Sequence, residues 1–267
     1  MAIIMRPANR HLGVVTANSR THWSLLIAGL AGAVAFNATY LIDGAMRPGY
    51  DWLSQPVSAL SLGPGGTVQV VNFIAFGMLG CITALAWRLT LTGGIGETWY
   101  PRLAVLAGLA IICTGIFTLD PAHGYPPGSH VPAHPSVHAQ VHNIASYISL
   151  TATVAGLIIL ARRFSREPGW RGWVPLALAA AVLMMIFLAA FGILIAHNGP
   201  GGIFEKLASL APTVFGIALT IRLIARRDAR ITRAPTWTAP VCRQSANGVP
   251  ASSEERSQGS RSGRPGG

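Results

Sequence analysis

The chain has 267 residues, of which 51% are hydrophobic and only 11% are charged. Soluble domains carry roughly 25% charged residues because charge covers a water-facing surface, so this composition argues against a soluble globular protein. The formal net charge is +11, but the arginines cluster at the ends of apolar runs. That distribution argues against nucleic-acid binding and favours contact with anionic lipid headgroups. Three cysteines give no disulfide framework, and none lies in a metal-binding motif.

Six apolar runs of about 20 residues divide the chain, each long enough to cross ~30 Å of hydrocarbon as an α-helix. The sequence therefore predicts an all-α, polytopic membrane protein with six transmembrane helices. The predicted spans cover residues 23–42, 68–87, 103–119, 137–161, 173–196 and 203–225. No small-x-small cleavage site follows the first run, so we interpret it as an uncleaved span. Within it Gly29 and Ala33 belong to a pattern of small residues four apart, which would let a neighbouring helix approach closely.

Basic residues indicate how the predicted spans are oriented. Six spans place both termini on one side of the membrane, and the positive-inside rule makes that side cytoplasmic. Among the 20 basic residues only Arg47 and Lys206 then lie outside. We predict a cytoplasmic N-terminal segment at 1–22 and a basic, disordered cytoplasmic tail at 226–267. Residues 222–233 would contact anionic lipid, and the predicted location is the cell inner (plasma) membrane.

The connection between spans 1 and 2 has a pattern of its own. Leu53, Val57 and Leu60 recur at helical spacing, and three serines follow the same spacing one residue later. This pattern predicts a short amphipathic helix with a serine edge, capped by Ser54 and ended by the glycines at 63–66. We expect this helix to lie in the membrane interface or to dip into the mouth of the bundle.

Residues 118–147, between spans 3 and 4, contain five of the eight histidines and one of the nine acidic residues. In the predicted orientation this stretch lies on the extracytoplasmic side. Polar residues near the same ends of the spans, such as Asn37, Gln69 and Asn143, would face the bundle interior because polar groups are costly in lipid. The sequence thus predicts a polar His/Asp pocket that faces outward.

Three stretches in this setting carry a family resemblance: RPGYDWLSQPVSALSLGPGG followed by QVVNF, then FTLDPAHGYP, then HAQVHNIA. Together they resemble the bacterial integral-membrane family catalogued as domain of unknown function 998, over roughly residues 24–225. This chain departs from the family at Thr118-Leu119, where a proline often occurs. The resemblance implies a membrane-embedded helical fold and a membrane location. It implies no reaction, because the family has no assigned activity.

One hypothesis for the pocket is a metal site. His138 and His142 are four residues apart and therefore share a helix face, as paired histidine ligands of metalloproteases do. Asp120 and His123 follow the preceding span, which the loop brings back alongside. Two such histidines with a third histidine and a carboxylate would form a plausible first-row metal sphere, with zinc the default.

A metal at that site would allow hydrolysis. A bound water becomes a nucleophile near neutral pH, Asp120 would act with it, and Ser54 or Ser58 would orient the substrate or an oxyanion. The corresponding function is a zinc-dependent transmembrane hydrolase acting on a lipid amide or ester. No HExxH motif is present, and Gln140 cannot replace its general-base glutamate.

Two other function classes remain open. The favoured one is a non-catalytic lipid-binding, sensing or scaffolding module, in which Asp120 caps a turn and the histidines satisfy buried partners. A small-molecule transporter is the other, although no span carries an ionisable residue near its centre. Glu205 begins the sixth span, where an acidic residue complements the helix dipole. A role for it beside His197 in the outward pocket is the alternative.

Overall fold

A computed structural model describes the backbone of residues 20–233 and the side chains of residues 20–226. In this part of the chain the structure is helical, without β-strands. The long helices are α1 (Arg20–Met46), α2 (Thr67–Thr90), α3 (Trp99–Ile116), α4 (Val137–Arg166), α5 (Val174–Ala196) and α6 (Gly202–Arg233). All six are long and apolar enough to cross a membrane, which confirms the predicted six-helix membrane fold.

Helix α3 is displaced towards the N-terminus relative to the predicted span, because it both begins and ends earlier. It starts at Trp99 rather than at 103, because Pro101 is tolerated in a first helical turn. It ends at Ile116 rather than at 119. Asp120 precedes Pro121 and is therefore biased towards extended backbone, so the chain leaves the helix before that pair.

The predicted disordered tail is wrong at its start, because α6 continues through Arg233. Alanine and arginine are strong helix formers, and both are frequent in residues 225–233. The remaining predicted terminal segments, at 1–19 and 234–267, lie outside the described residues, as does Cys242.

The outward faces of the helices are apolar. Leu85 and Ile193 each expose 62% of their surface, and large aliphatic side chains are exposed on all six helices. Soluble proteins rarely expose contiguous apolar surface on this scale, whereas a lipid environment accommodates it.

The helices pack in chain order into a closed ring. Neighbours from α1 to α5 contact one another pairwise, and Phe187 on α5 lies 6.3 Å from Phe204 on α6 between ring centroids. The ring closes where the Tyr40 hydroxyl on α1 lies 3.1 Å from Ser209 Oγ on α6. The six helices therefore surround a central space.

Glycines allow the closest helix approaches. A Cβ atom added at Gly32 on α1 would meet the Leu79 side chain on α2 at 2.6 Å, and one added at Gly29 would clash with Thr83. These contacts confirm the close approach predicted for the first span. On α2, an added Cβ at Gly77 would lie 2.5 Å from the Gly108 carbonyl oxygen of α3.

Two hydrophobic clusters close the two ends of the ring. The arginine end carries loops 91–98 and 167–173, and its cluster is built around Trp23, Phe164 and Trp170. The histidine end carries loops 47–66, 117–136 and 197–201. Its cluster is mainly aromatic and contains Leu60 together with Phe36, Tyr40, Tyr50, Phe73 and Tyr125.

The connection between α1 and α2 contains a short helix that differs from the predicted one. It is a 3-10 helix at Val57–Ser61 in which all five residues are buried, so it has no exposed serine edge. Its N-cap is Pro56 rather than Ser54, without a side-chain cap. Both of its sides are covered, because the bundle lies beneath it and the loop around Tyr125 packs above it. We call residues 50–62 the plug segment.

At the arginine end a buried ion pair joins α4 to its following loop. Arg163 Nε lies 2.7 Å from Glu167 Oε1, and the two side chains are only 2% and 6% exposed. The Arg163 guanidinium also donates to the carbonyls of Ile95 and Thr92, at 3.0 and 3.1 Å. The buried cation thereby ties two loops together.

We expect Gly77→Ala to destabilise the protein and Gly80→Ala, three residues away on the same helix, to leave it unchanged or slightly more stable. The first methyl would overlap the Gly108 carbonyl, at a cost of about 1–3 kcal/mol. The second meets only the Gly108 Cα, at 3.8 Å, and alanine favours a helix. The measurement is the thermal unfolding midpoint of purified protein in detergent. Equal midpoints for both variants would contradict this packing.

We expect Arg163→Met to cost about 3–5 kcal/mol, because it leaves the Glu167 carboxylate buried without its partner. Arg162→Met is the matched control, since Arg162 is exposed and should tolerate the change. The double variant Arg163→Met/Glu167→Met should recover part of the loss. Unfolding midpoints in detergent measure all three, and a midpoint for Arg163→Met that equals the control would contradict the prediction.

Candidate functional site

Asp120, which the sequence analysis placed in the catalytic and metal site, binds the backbone at the start of α4. Its Oδ2 accepts a hydrogen bond from the Ser136 backbone N–H at 2.7 Å. Ser136 in turn caps α4, because its Oγ accepts from the Ala139 N–H at 3.1 Å. Asp120 therefore fixes where α4 begins. Within the first turn of the helix, His138 is exposed, and its ring centroid lies 5.2 Å from that of Phe117.

His142, four residues after His138, is buried and lies against the end of α3. Its Nδ1 lies 2.7 Å from the Phe117 carbonyl oxygen and 3.0 Å from that of Thr114. A carbonyl oxygen can only accept, so Nδ1 carries the proton. The imidazole thus satisfies the orphan carbonyls at a helix C-terminus, and its ring also lines the central cavity described below.

The remaining predicted residues lie apart from His142 in separate local contacts. His123 is exposed, with its Nδ1 3.1 Å from Asn198 Oδ1 in the next loop. Ser54 holds the pKa of the Asp51 carboxyl below its usual range through a side-chain hydrogen bond. Ser58 is buried in the 3-10 helix and also lines the cavity.

The structure does not assemble the predicted metal ligands. Within residues 20–226, no group of three or more His, Cys, Asp or Glu side chains is placed to hold one ion. His138 and His142 share a helix, but one is exposed and the other is buried. The zinc site thus stays a prediction from the sequence, without a ligand set among the described side chains.

What the structure does bring together is the plug segment and the first turn of α6. The Lys206 ammonium donates to the carbonyl oxygens of Gln55, at 2.9 Å, and of Gly202, at 3.2 Å. On the next residue back, Glu205 Oε2 accepts from the Val57 N–H at 2.6 Å. Two adjacent residues of α6, one basic and one acidic, therefore bind an acceptor and a donor of the plug backbone.

Further contacts reinforce this attachment. The Ile203 N–H donates to the Leu53 carbonyl at 2.9 Å. The Lys206 Nζ also lies 5.4 Å from the centroid of the Tyr50 ring, in cation–π geometry. Tyr50 is itself buried, which raises the pKa of its phenol, and its hydroxyl donates to the Gln55 carbonyl at 3.1 Å. The plug segment is thus fixed to α6 over several residues.

A polar network between α1 and α6 lies one turn deeper. Tyr40 donates from its hydroxyl to Asn37 Oδ1 at 2.8 Å, and Asn37 Nδ2 donates to Thr213 Oγ1 at 3.3 Å. Ser209 joins the network through Asn37 Oδ1 at 3.3 Å. Because hydrogen-bond donors and acceptors in a bundle must be satisfied by protein, this network holds α1 and α6 side by side.

A cavity of about 1000 Å³ lies in the centre of the ring, between the plug segment and the arginine-end cluster. Its wall is mainly apolar, with Phe73, Phe76 and Ile111 among the side chains on one side. Pro212 lies in α6 where this helix borders the cavity. Proline has no N–H and therefore removes one backbone hydrogen bond from the helix. Gly216, one turn later, has no side chain to occupy the cavity.

Glu205 is the one acidic residue in the cavity wall, and the described wall contains no lysine or arginine. Glu205 is half-buried and lines this cavity. Its Oε2 binds Val57, whereas its Oε1 accepts no hydrogen bond from the described residues. Glu205 also takes part in none of the ion pairs formed within residues 20–226. The plug end of the cavity therefore presents a carboxylate oxygen to an otherwise apolar space.

The cavity reaches the surface between α4 and α5. Near the arginine end these helices meet through buried residues such as Phe164 and Ala177. Towards the histidine end, residues that line the cavity are themselves exposed. These are Asn143, Tyr147 (69% exposed) and Thr151 on α4, and Met185, Ala189 and Gly192 on α5. We call this lateral opening the α4–α5 gap, and it faces the apolar surface of the bundle.

The sequence argument missed the role of Glu205 and the position of the cavity. It interpreted Glu205 as a complement to the helix dipole, with a role beside His197 in the outward pocket as the alternative, and it looked for chemistry among the histidines of the outer loop. One signal was available: Glu205-Lys206 are adjacent opposite charges within an apolar span. Ionisable residues in such a position usually face protein rather than lipid.

Comparison with known proteins adds the family. No match to a curated protein or to a solved structure was found. A family model described as "Protein of unknown function (DUF998)" matches residues 30–222, well over half of the chain. The match confirms the resemblance drawn from the sequence, and the chain belongs to this family of membrane proteins of unknown function.

Proposed function

We propose that this protein is a non-catalytic membrane module that binds one lipid-like amphipathic molecule in its central cavity. The cavity carries this proposal, because it combines about 1000 Å³ of space with a mainly apolar wall and a few polar groups at one end. Small-molecule sites in proteins are typically clefts of about 300–1,000 Å³ with that distribution of polarity. A molecule with an apolar chain and a polar head matches it.

The α4–α5 gap supports access from the bilayer. Its rim is formed by exposed residues such as Tyr147 and Met185, which face the same side as the lipid-facing surface. The loop ends are covered by the plug segment and by the arginine-end cluster. An apolar chain that moves sideways from lipid into the gap keeps its surface out of water, which favours this route.

The contacts of the predicted catalytic residues support binding rather than hydrolysis. Asp120 accepts from the backbone of Ser136, and His142 donates to two carbonyls of α3. Both therefore serve to join α3, the loop and α4. The hydrolase alternative was drawn around a metal-bound water, and no group of three or more His, Cys, Asp or Glu side chains among the described residues is placed to hold that metal.

We place the arginine end on the cytoplasmic side of the plasma membrane. The two basic residues that this orientation leaves outside, Arg47 and Lys206, both have internal partners. Arg47 pairs with Asp43 at 2.7 Å and donates to the carbonyl oxygens of Pro64 and Gly65. Arg47 and Lys206 therefore bind other parts of the protein. The exposed arginines near the other helix ends agree with the positive-inside rule.

The cavity proposal is tested by photolabelling purified protein with a diazirine-bearing hexadecanol. We expect label on Met184, which is buried and lines the cavity. Gly216→Phe should remove most of that label, because a side chain added there meets nothing within 4 Å and extends into the cavity. Leu85 faces lipid and should be labelled equally in both proteins, as an internal reference.

The matched control for this experiment is Gly172→Phe, a site with equal space for a side chain but outside the cavity. It should leave the Met184 label unchanged. Absence of Met184 label in the wild type, or equal Met184 label in wild type and Gly216→Phe, would contradict the proposal.

The orientation is tested by labelling single cysteines with a membrane-impermeant maleimide in a background that lacks Cys81, Cys113 and Cys242. Val131→Cys, in an exposed loop at the histidine end, should react in intact cells. Trp99→Cys, exposed at the arginine end, should react only after permeabilisation. The reverse pattern would invert the proposed topology.

A further inference from the structure

We propose that Glu205 binds the ammonium group of a long-chain amine, so that the ligand of the cavity is a cationic amphiphile. This inference rests on the proposed function, and it adds the chemical class of the headgroup. Its basis is the carboxylate that the plug end of the cavity presents to an otherwise apolar space.

The Glu205 carboxylate has capacity for a ligand. One oxygen accepts from the Val57 N–H at 2.6 Å, and the other accepts nothing from the described residues. The residue is half-buried and lines the cavity. A carboxylate has about four acceptor sites, so a donor inside the cavity can bind without displacing the contact with Val57.

The neighbouring Lys206 ammonium interacts electrostatically with Glu205, but its hydrogen bonds go to the plug segment and the helix rather than to the carboxylate. The Lys206 ammonium is directed to the carbonyls of Gln55 and Gly202 and lies over the Tyr50 ring. Lys206 is not part of the cavity wall, and the two side chains form no ion pair. The ammonium and one carboxylate oxygen both bind the plug segment, and of the two side chains it is Glu205 that lines the cavity.

Charge in the wall then selects the sign of the headgroup. A charge removed from water is tolerated when it is paired and hydrogen-bonded. The described wall offers no lysine or arginine to an anionic headgroup but offers Glu205 to a cationic one. An ammonium would form a charge-assisted hydrogen bond with the carboxylate, which is stronger than a bond between neutral groups.

The contact with Val57 does not require the charge. A neutral glutamine amide carries a carbonyl oxygen that accepts the same N–H. A carboxylate at this position also complements the dipole of α6. That effect does not require burial, because it also stabilises helices whose first turn is exposed to solvent. The helix dipole does not account for the position of the Glu205 carboxylate in the wall of a cavity. An ammonium ligand in the cavity does.

The test is competition against the diazirine hexadecanol on the full protein, followed through the Met184 label. In the wild type, hexadecylamine should displace the label at a concentration about tenfold or more below that needed for hexadecanol, the usual gain for a hydrogen bond to a charged group. Hexadecyl sulfate should displace it least. Glu205→Gln should abolish the preference for the amine, so that hexadecylamine and hexadecanol displace the label at similar concentrations.

Glu97→Gln is the matched control, because it removes the same charge from an exposed loop where Glu97 pairs with Arg88. It should retain the preference for the amine. Equal displacement by amine, alcohol and sulfate in the wild type would overturn the headgroup inference even if Glu205→Gln does not fold. So would an amine preference that persists in Glu205→Gln. In both cases a Met184 label would leave the cavity proposal standing, whereas absence of that label would remove both.

Discussion

The need to satisfy backbone polar groups at the mouth of the bundle governs this structure. Within lipid, a non-helical backbone is tolerated only where protein supplies its hydrogen bonds. The hydrogen bonds of Gln55 illustrate how the protein satisfies the backbone of the plug segment. Its side chain accepts from the Asp51 N–H and donates to the His123 carbonyl, at 3.0 and 3.3 Å. Its own carbonyl accepts from Lys206 and Tyr50. The plug segment is therefore tied to the outer loop and to α6 at the same residue.

The cavity follows from this closure and from the ring of helices. Since each helix packs mainly on its neighbours in sequence, no helix among residues 20–233 runs through the centre. The aromatic cluster around Trp23 and Phe164 closes one end, and the plug segment closes the other. The space between them remains accessible at the α4–α5 gap. A membrane protein loses little stability from such a space when lipid or a ligand fills it, because apolar chains then replace the missing packing contacts.

The membrane fold could be predicted from the sequence because it depends on local composition. Apolar runs of about 20 residues predicted all six helices, and the small residues around Gly29 predicted close packing of α1. The α3 limits were wrong because Pro101 and Pro121 act on individual turns that a hydropathy pattern does not resolve. The plug segment was predicted as an amphipathic helix because its serines suggested a solvated edge, whereas the loop around Tyr125 covers that side.

The site was harder to predict, since it depends on contacts between residues distant in the chain. Histidine spacing placed His138 and His142 on one helix correctly, but spacing does not reveal that Nδ1 of His142 donates to the carbonyls of Phe117 and Thr114. Likewise, Val57 and Glu205 are 148 positions apart, and no local pattern connects them. The one transferable signal is chemical: an acidic and a basic residue together in an apolar span indicate internal partners.

For the proposed amphiphile, the lateral position of the α4–α5 gap would determine which concentration controls occupancy. A ligand that entered through this opening would exchange with the surrounding leaflet rather than with bulk water. Saturation would then follow the mole fraction of the amphiphile among its neighbouring lipids, and the total amount of membrane would dilute it. Two cells with equal amounts of ligand but different leaflet composition would fill this protein to different extents.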